Sequence, residues 1–412
     1  MSSEITQNDA TEIKPVAPAP PGAAGGTTAV LNRPVAPGDA QADQQTALVA
    51  SQWKLMWWKF RKHKLALAGG VVVILLYLVA IFAEFLAPTD PTLVRGGYNT
   101  SVPYTYAPPQ RIRFLDRGEG GTSFRPHVYD YRVAIDQTSL RRTFVIDDSK
   151  KIYLRLFAQG TPYTLLGFFP STRHLIGTTE RGRPLYILGS DRNGADVLSR
   201  LIAGTRISMS IGLIGVMISL VFGITLGGIS GYYGGRVDTV IQRLIEFLVS
   251  IPRIPLFLGL AAALPQNWPP LRVYFFTILI LSIIGWTGLA RVVRGRFLSL
   301  REEDFVLSAR LDGSSEMRVI LRHMVPSFAS HIIASLTLAI PATILAETAL
   351  SFLGLGLRSP INSWGVLLQE AQNVRAVATA PWLLLPGFAV IAAVLSLNFL
   401  GDGLRDAADP YR

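Results

Sequence analysis

The residues of this chain that could do chemistry are few. Glu347 is a carboxylate inside a long apolar run that also holds Pro326 and Pro341, and Asp196 and Arg206 flank the start of another. Arg310, Arg318, Arg322 and His323 fall in a polar insert between two apolar stretches. An ionisable group within an apolar span is costly, and it is normally paired or functional. Glu347 therefore admits two readings: a contact for a solute or a neighbouring subunit, or a carboxylate hydrogen-bonded near a helix end. None of these groups completes an enzyme's set. There is no G-x-x-x-x-G-K-[ST] phosphate loop, no H-E-x-x-H and no G-x-S-x-G. Ser–Lys and paired-aspartate constellations are also missing from the apolar runs. Neither P-loop nucleotide hydrolysis nor intramembrane proteolysis is expected, and no cofactor is expected on this chain.

The elements that must carry these residues follow from composition. Half the chain is hydrophobic and 16% is charged, against about a quarter charged in soluble domains. The deficit lies in long apolar runs, which predicts an all-α polytopic membrane protein. With no cysteine and five scattered histidines, disulfides and thiolate sites are excluded and a metal cage is disfavoured. The net charge of +11 would suit nucleic acid, but the basic residues flank apolar runs, as membrane orientation signals do. No nucleic-acid partner is expected.

Six spans are predicted, over residues 65–83, 207–235, 239–264, 273–290, 324–350 and 382–400. The third is interrupted by Arg243, Glu246, Pro252 and Arg253, and a water-exposed helix is its rival reading. Lys54, Lys59, Arg61, Lys62 and Lys64 precede the first span, which orients the N-terminus to the cytoplasm. Six crossings return the C-terminus there and place the arginine-rich stretch 291–322 inside. Trp53, Trp57 and Trp58 lie among the leading lysines. They suit either an elbow helix over 51–64 lying in the lipid interface or simple anchoring of the first span, 65–87. Residues 1–50, rich in Pro, Ala and Gly, read as a disordered cytoplasmic tail without the features of a cleaved signal. Residues 88–199 are polar and read as a small β-containing extracytoplasmic domain. Alternating apolar residues over 142–146 and 151–157 flank Asp147–Asp148–Ser149, which predicts a β-hairpin. That domain either shields the top of the bundle or helps to dock a ligand-delivery protein.

Residues 200–412 form the expected core, with the polar insert over 294–326. Phe305 to Leu311 suits a short helix and Gly313 lets the backbone turn. Ser314 or Ser315 can cap a second helix carrying Arg318, Arg322 and His323, which Pro326 stops as the next span begins. Small Ser308 and Ala309 are expected on the exposed face, where a partner's groove could receive them. The insert is either an ordinary helical hairpin or a lever worked by another subunit.

The insert resembles the "EAA" loop of ABC-transporter permeases, with Ala309, Gly313 and Pro326 at the family's spacing. It is most similar to the C-type permease of the oligopeptide/dipeptide family, whose I-L-R-H-x-x-P stands here as residues 320–326. Leu307 and Ser308 replace the first glutamate and alanine of that loop. Residues 188–200 resemble the family's L-G-T-D-x-x-G-R-D-V-L-S-R with Ala195 for the arginine. The block 347–356, from Glu347 through Phe352, resembles E-A-S-L-S-F-L-G-L-G and is followed by Ser363–Trp364–Gly365. Residues 398–406 resemble N-L-L-G-D-G-L-R-D. The resemblance implies a type I importer permease in a bacterial inner membrane, paired with a paralogous B-type permease, two ABC ATPase subunits holding ATP and Mg, an extracytoplasmic substrate-binding protein and membrane lipid. It implies a coupling role for Phe305, Ser308, Ala309, Arg310, Gly313, Arg318, Arg322, His323 and Pro326. Glu347, Phe352, Trp364, Arg206 and Asp196 become candidates for the pathway or the permease interface. Peptides are the first substrate implied, with oligosaccharides, opines and nickel chelates carried by the same family. A secondary transporter would need an ion site in a broken helix or a buried acid, and a membrane scaffold or sensor would use the outer domain as receptor. Both remain as readings of other classes.

Overall fold

The structure, a computed structural model, describes residues 52–91, 104–118, 121–135, 137, 142–179, 185–265 and 267–408. The tail expected over 1–50 and the side chain of Trp53 lie outside these. Helix α1 (Gln52–Lys62) ends in Lys59, Arg61 and Lys62, cations favoured at a helix C-terminus. It turns Phe60 in against Ala66 and Ala407 and leaves Trp57 and Trp58 exposed. His63 then caps α2 (Lys64–Ile81), its Nδ1 accepting the Ala66 amide at 3.2 Å. Gly69 lets α2 lie against the last helix, because a Cβ there would stand 2.6 Å from the Ser396 carbonyl oxygen. A short α3 (Ala83–Leu86) follows.

The polar stretch after α3 folds as an antiparallel meander: β1 (Arg113–Gly118), β2 (Gly121–Ile135), β3 (Arg142–Leu165) and β4 (Phe169–Thr178), in that order across the sheet. The hairpin expected around Asp147–Asp148–Ser149 is corrected. The two flanking runs belong to one strand, β3, that pairs with β2 on both sides of the apparent turn. Asp147 Oδ1 accepts from the amide and hydroxyl of Ser149. The polar triplet thus closes on itself as a bulge opposite Tyr129 and Asp130 and does not reverse the chain. The sheet is fastened to the end of α3. His174 Nδ1 lies 2.7 Å from the Ala87 carbonyl oxygen, and Phe157 packs on Phe85 with ring centres 6.0 Å apart.

The longer helices that follow, with the short one after Ser363, are α4 (Val197–Tyr233), α5 (Gly235–Ser250), α6 (Arg253–Ala262), α7 (Pro270–Leu300), α8 (Asp304–Leu311), α9 (Ala329–Phe352), α10 (Trp364–Gln369) and α11 (Leu385–Ala408). Among the described residues, α2, α4, α7, α9 and the stretch Pro381–Ala407 are each long and apolar enough to cross a bilayer. The predicted third span is a pair, α5 and α6, bent by 83°. The ends of α4 and α7 meet at α8, where Tyr232, Phe297 and Val306 share one core. The start of α7 lies at the other end of the bundle, where Pro270 faces Leu355 and Arg358. The bent pair therefore carries the chain from the α8 end to the sheet end, the work of one span. Close packing of α4 on α7 depends on Gly227 and Gly231, whose added Cβ atoms would stand 2.5 Å from Ala290 O and 2.7 Å from Arg294 O.

Candidate functional site

The insert begins where α7 ends. Helix α8 closes in a Schellman turn: the Gly313 amide donates to Arg310 O at 3.0 Å and the Ser314 amide to Ala309 O at 3.1 Å, with Gly313 at φ +75°. Ser315 takes the next cap position, though its hydroxyl makes no capping bond. Glu316–Arg318 is α-helical, Val319–Met324 widens to a π-helical turn, and Val325–Ser327 returns to α. Pro326 accounts for the widening. It has no amide hydrogen and its ring crowds the preceding turn. The Val325 amide bonds back to Ile320 O, five residues away. The chain breaks at Phe328, not at Pro326 as the sequence suggested.

Val306 and Ala309 pack with Val319, Ile320 and Met324 against Val293 and Phe297 of α7 and Tyr232 of α4. Ala309 is thus turned inward, a correction to its expected place on the outer face. Positions 306 and 309 share the buried side of α8, and the small side chain is what lets the helix sit close. Ser308 is exposed as expected, and so are Phe305, Arg310, Gly313, Arg318, Arg322 and Pro326, while His323 is half-buried. Beside them stand Leu307, Leu311, Met317 and Leu321, large apolar side chains open to solvent; the sequence reading noted Leu307 only as the replacement of a glutamate and did not expect an exposed apolar face. For Leu311 a signal was available: an apolar residue next to Asp312–Gly313 at a helix end is poorly placed to turn inward. Arg310 lies over the Tyr232 ring at 4.7 Å, and the Tyr233 hydroxyl donates to Glu316. Arg294 pairs with Asp238 through two bonds of 2.5 Å, tying α5 to the same end.

None of the five residues expected at a pathway or subunit interface lines the large groove described below, though Arg206 and Glu84 border a smaller cleft. Glu347 is fully enclosed. Its carboxylate accepts from the hydroxyls of Ser351 and Ser363 at 2.8 Å and of Ser208 at 3.3 Å. Trp364 is equally buried, its amide donating to Ser208 Oγ and its indole to Thr205 Oγ1. Asp196 caps α4, accepting from the Leu198 and Ser199 amides. Arg206 pairs with Glu84 and donates to Ala80 O and Ile81 O, joining α4 to the end of α2. Phe352 is half-buried at the end of α9, its carbonyl accepting from Gln372. The block 188–200 is a clamp of the same kind. Asp191 accepts from the Asn193 and Ala195 amides and pairs with Arg200. Arg200 also reaches Asn362 at 2.8 Å and Glu370 at 3.1 Å. Burial, and then the nearby Asp191 charge, push the Glu370 carboxyl above its ordinary range.

A separate groove of about 850 Å³ opens between α4, α6, α7 and α9. Val216, Gly285 and Ala342 line it near the mid-points of their helices, and Arg253 is the one charged residue among the described residues of its wall. Sequence reasoning had marked Arg253 only as an interruption.

Two family models match. Residues 223–411 fit the binding-protein-dependent transport system inner membrane component, and residues 51–109 fit the N-terminal transmembrane domain of oligopeptide transport permease C. The oligopeptide transport system permease protein OppC of Haemophilus influenzae is 38% identical over 226 residues, 55% of this chain and 70% of the relative. OppC of Bacillus subtilis is 28% identical over 375 residues, 90% of this chain and 93% of that one, so the match extends through the sheet. The dipeptide permease DppC of Alkalihalophilus pseudofirmus is 36% identical, covering 58% of this chain and 73% of its own length. A chain of the MetNI methionine ABC transporter in an inward-facing conformation superposes with a TM-score of 0.39 at 16% identity, over 51% of this chain and 97% of that one.

Proposed function

This chain belongs to the C-type permeases of the oligopeptide and dipeptide ABC importers, and we propose that ATPase subunits drive it through the exposed apolar face of its insert. It is a multi-pass membrane permease subunit with the type I importer fold. The observation that carries the proposal is the seat of α8. Its inner side is keyed to the ends of both α4 and α7 through Phe297 and Tyr232, while Leu307, Leu311, Met317 and Leu321 stand open outside. A partner that grips the outer side must move both helices together, and both line the groove. Two ATPase subunits, holding ATP and Mg, would close on ATP binding and tilt α4 and α7. A paralogous B-type permease would complete the pathway against the groove. An extracytoplasmic binding protein would deliver peptides at the sheet end, and the insert and both termini would face the cytoplasm of a bacterial inner membrane.

Gly313 provides the test. A β-branched residue at φ +75° costs on the order of 1–3 kcal/mol of backbone strain and breaks the Schellman turn. Gly313→Val should leave membrane insertion and ATP hydrolysis intact and lower uptake roughly tenfold, since the strain falls on the lever alone. Uptake and hydrolysis are measured together on the complete importer in proteoliposomes. Unchanged uptake would remove the insert from coupling.

A further inference from the structure

Apart from Arg253 and the hydroxyls of Ser219, Ser335 and Thr343, the described side chains lining the groove are apolar. A guanidinium stays charged at every physiological pH. At the middle of a membrane-spanning bundle it is kept only where water, an anion or a partner charge reaches it. This chain offers no such partner among its described residues. Glu347 is closed off by three serines, Asp238 is held by Arg294, and Glu246 by Arg243. Arg253 is exposed and has no hydrogen bond or ion pair among the described residues. Its position is fixed by the break in the span: Pro252 ends the bend and Arg253 opens α6, with no acid in that helix's first turn.

Resting on the importer reading, we infer that Arg253 is the groove's contact for a carboxylate on the passing solute, the C-terminal carboxylate of an unblocked peptide. A guanidinium presents two parallel donors to a carboxylate. In a wet groove the pair is screened and weak. The contact therefore orients the solute and offsets its desolvation among apolar walls without trapping it. Because the arginine stands on α6 while the other walls belong to α4, α7 and α9, tilting α4 and α7 changes what faces it. The carboxylate is met in one arrangement of the bundle and released in the other.

The test uses the importer purified from its native membrane with its partner subunits and loaded binding protein, reconstituted in proteoliposomes. A tripeptide with a free C-terminus is compared with its C-terminal amide. Arg253→Gln should slow the free acid roughly tenfold relative to the amide, Arg253→Lys should stay within about threefold of the unmodified importer, and Arg253→Glu should fall below Arg253→Gln. If the binding protein refuses the C-terminal amide, the free acid is compared instead with the same tripeptide ending in a primary alcohol. Equal loss for acid and amide would assign Arg253 to packing or to an acid on the paralogous subunit, and equal loss across the series would assign it to packing; either would overturn the inference. So would uptake by Arg253→Gln equal to the unmodified importer's. If the unmodified importer hydrolyses ATP and carries neither peptide, the peptide reading falls as well, an outcome distinct from the failure of Arg253 alone.

Discussion

Glu347 shows how one carboxylate can be held inside a membrane bundle by hydroxyl groups alone. Three serine hydroxyls donate to it from residues 208, 351 and 363, so it gathers α4, the end of α9 and the start of α10 around a single acceptor. Removing it orphans those donors and leaves a void, a loss of about 2–4 kcal/mol. Glu347→Gln keeps an oxygen for Ser351 and Ser363 and offers an amide to Ser208, so it should cost about 1 kcal/mol. Glu347→Ala should therefore lower the unfolding midpoint of the detergent-purified protein far more than Glu347→Gln does, and uptake per folded molecule should be kept in Glu347→Gln. Uptake abolished in a well-folded Glu347→Gln would make the carboxylate a transport group after all. At this scale the sequence was legible where the signal was local. Gly313 after an apolar helix end reads as a turn because the conformation it needs is a property of that residue. The partners of Glu347 lie 139, 4 and 16 residues away, and the neighbours of Arg253 in the groove come from three other helices. Neither arrangement is written in the residues beside it.

Elements were legible in proportion to their hydropathy. The apolar helices stand where the runs predicted them. Helix α4 begins ten residues earlier than predicted and α7 runs ten further, while α9 begins later, at Ala329; the added turn at Ser199–Arg200 need not be apolar because Asp196, Asp191 and Asn362 satisfy it. The break between α5 and α6 showed only as a weak span. The long strand β3 was read as two because an Asx turn and a bulge share their residue types with a hairpin loop. What hydropathy does not carry is the closeness of a crossing, and glycine marks it. Gly227→Ala would press a methyl group to 2.5 Å from Ala290 O and should destabilise the bundle by about 1–3 kcal/mol, as overpacking does. Gly288 on the partner helix meets nothing within 4 Å, and Gly288→Ala should be neutral or slightly stabilising, by a few tenths of a kcal/mol. Thermal unfolding followed by size-exclusion chromatography separates the two. Equal behaviour would mean that α4 and α7 do not meet at Gly227.

For the molecule as a whole, the question is which side of the membrane each end occupies, and the bent pair decides it. One crossing, by α2, precedes the sheet. Counting α5 and α6 as one span, four crossings precede the insert, which puts sheet and insert on opposite sides. Without that span the count is three and both lie together. On the orientation proposed above, which the basic run before α2 supports, the N-terminus and with it the insert face the cytoplasm. The chain contains no cysteine, so one introduced thiol reports on its own position. Phe168 at the β3–β4 turn and Leu311 at the end of α8 are 82% and 88% exposed, open enough to label without unfolding. A membrane-impermeant maleimide added to intact spheroplasts should modify Phe168→Cys and spare Leu311→Cys, and permeabilising the membrane should expose the second. Modification of both before permeabilisation would mean that α5 and α6 enter and leave on one side. The lever would then stand outside, beyond reach of any ATPase in the cytoplasm.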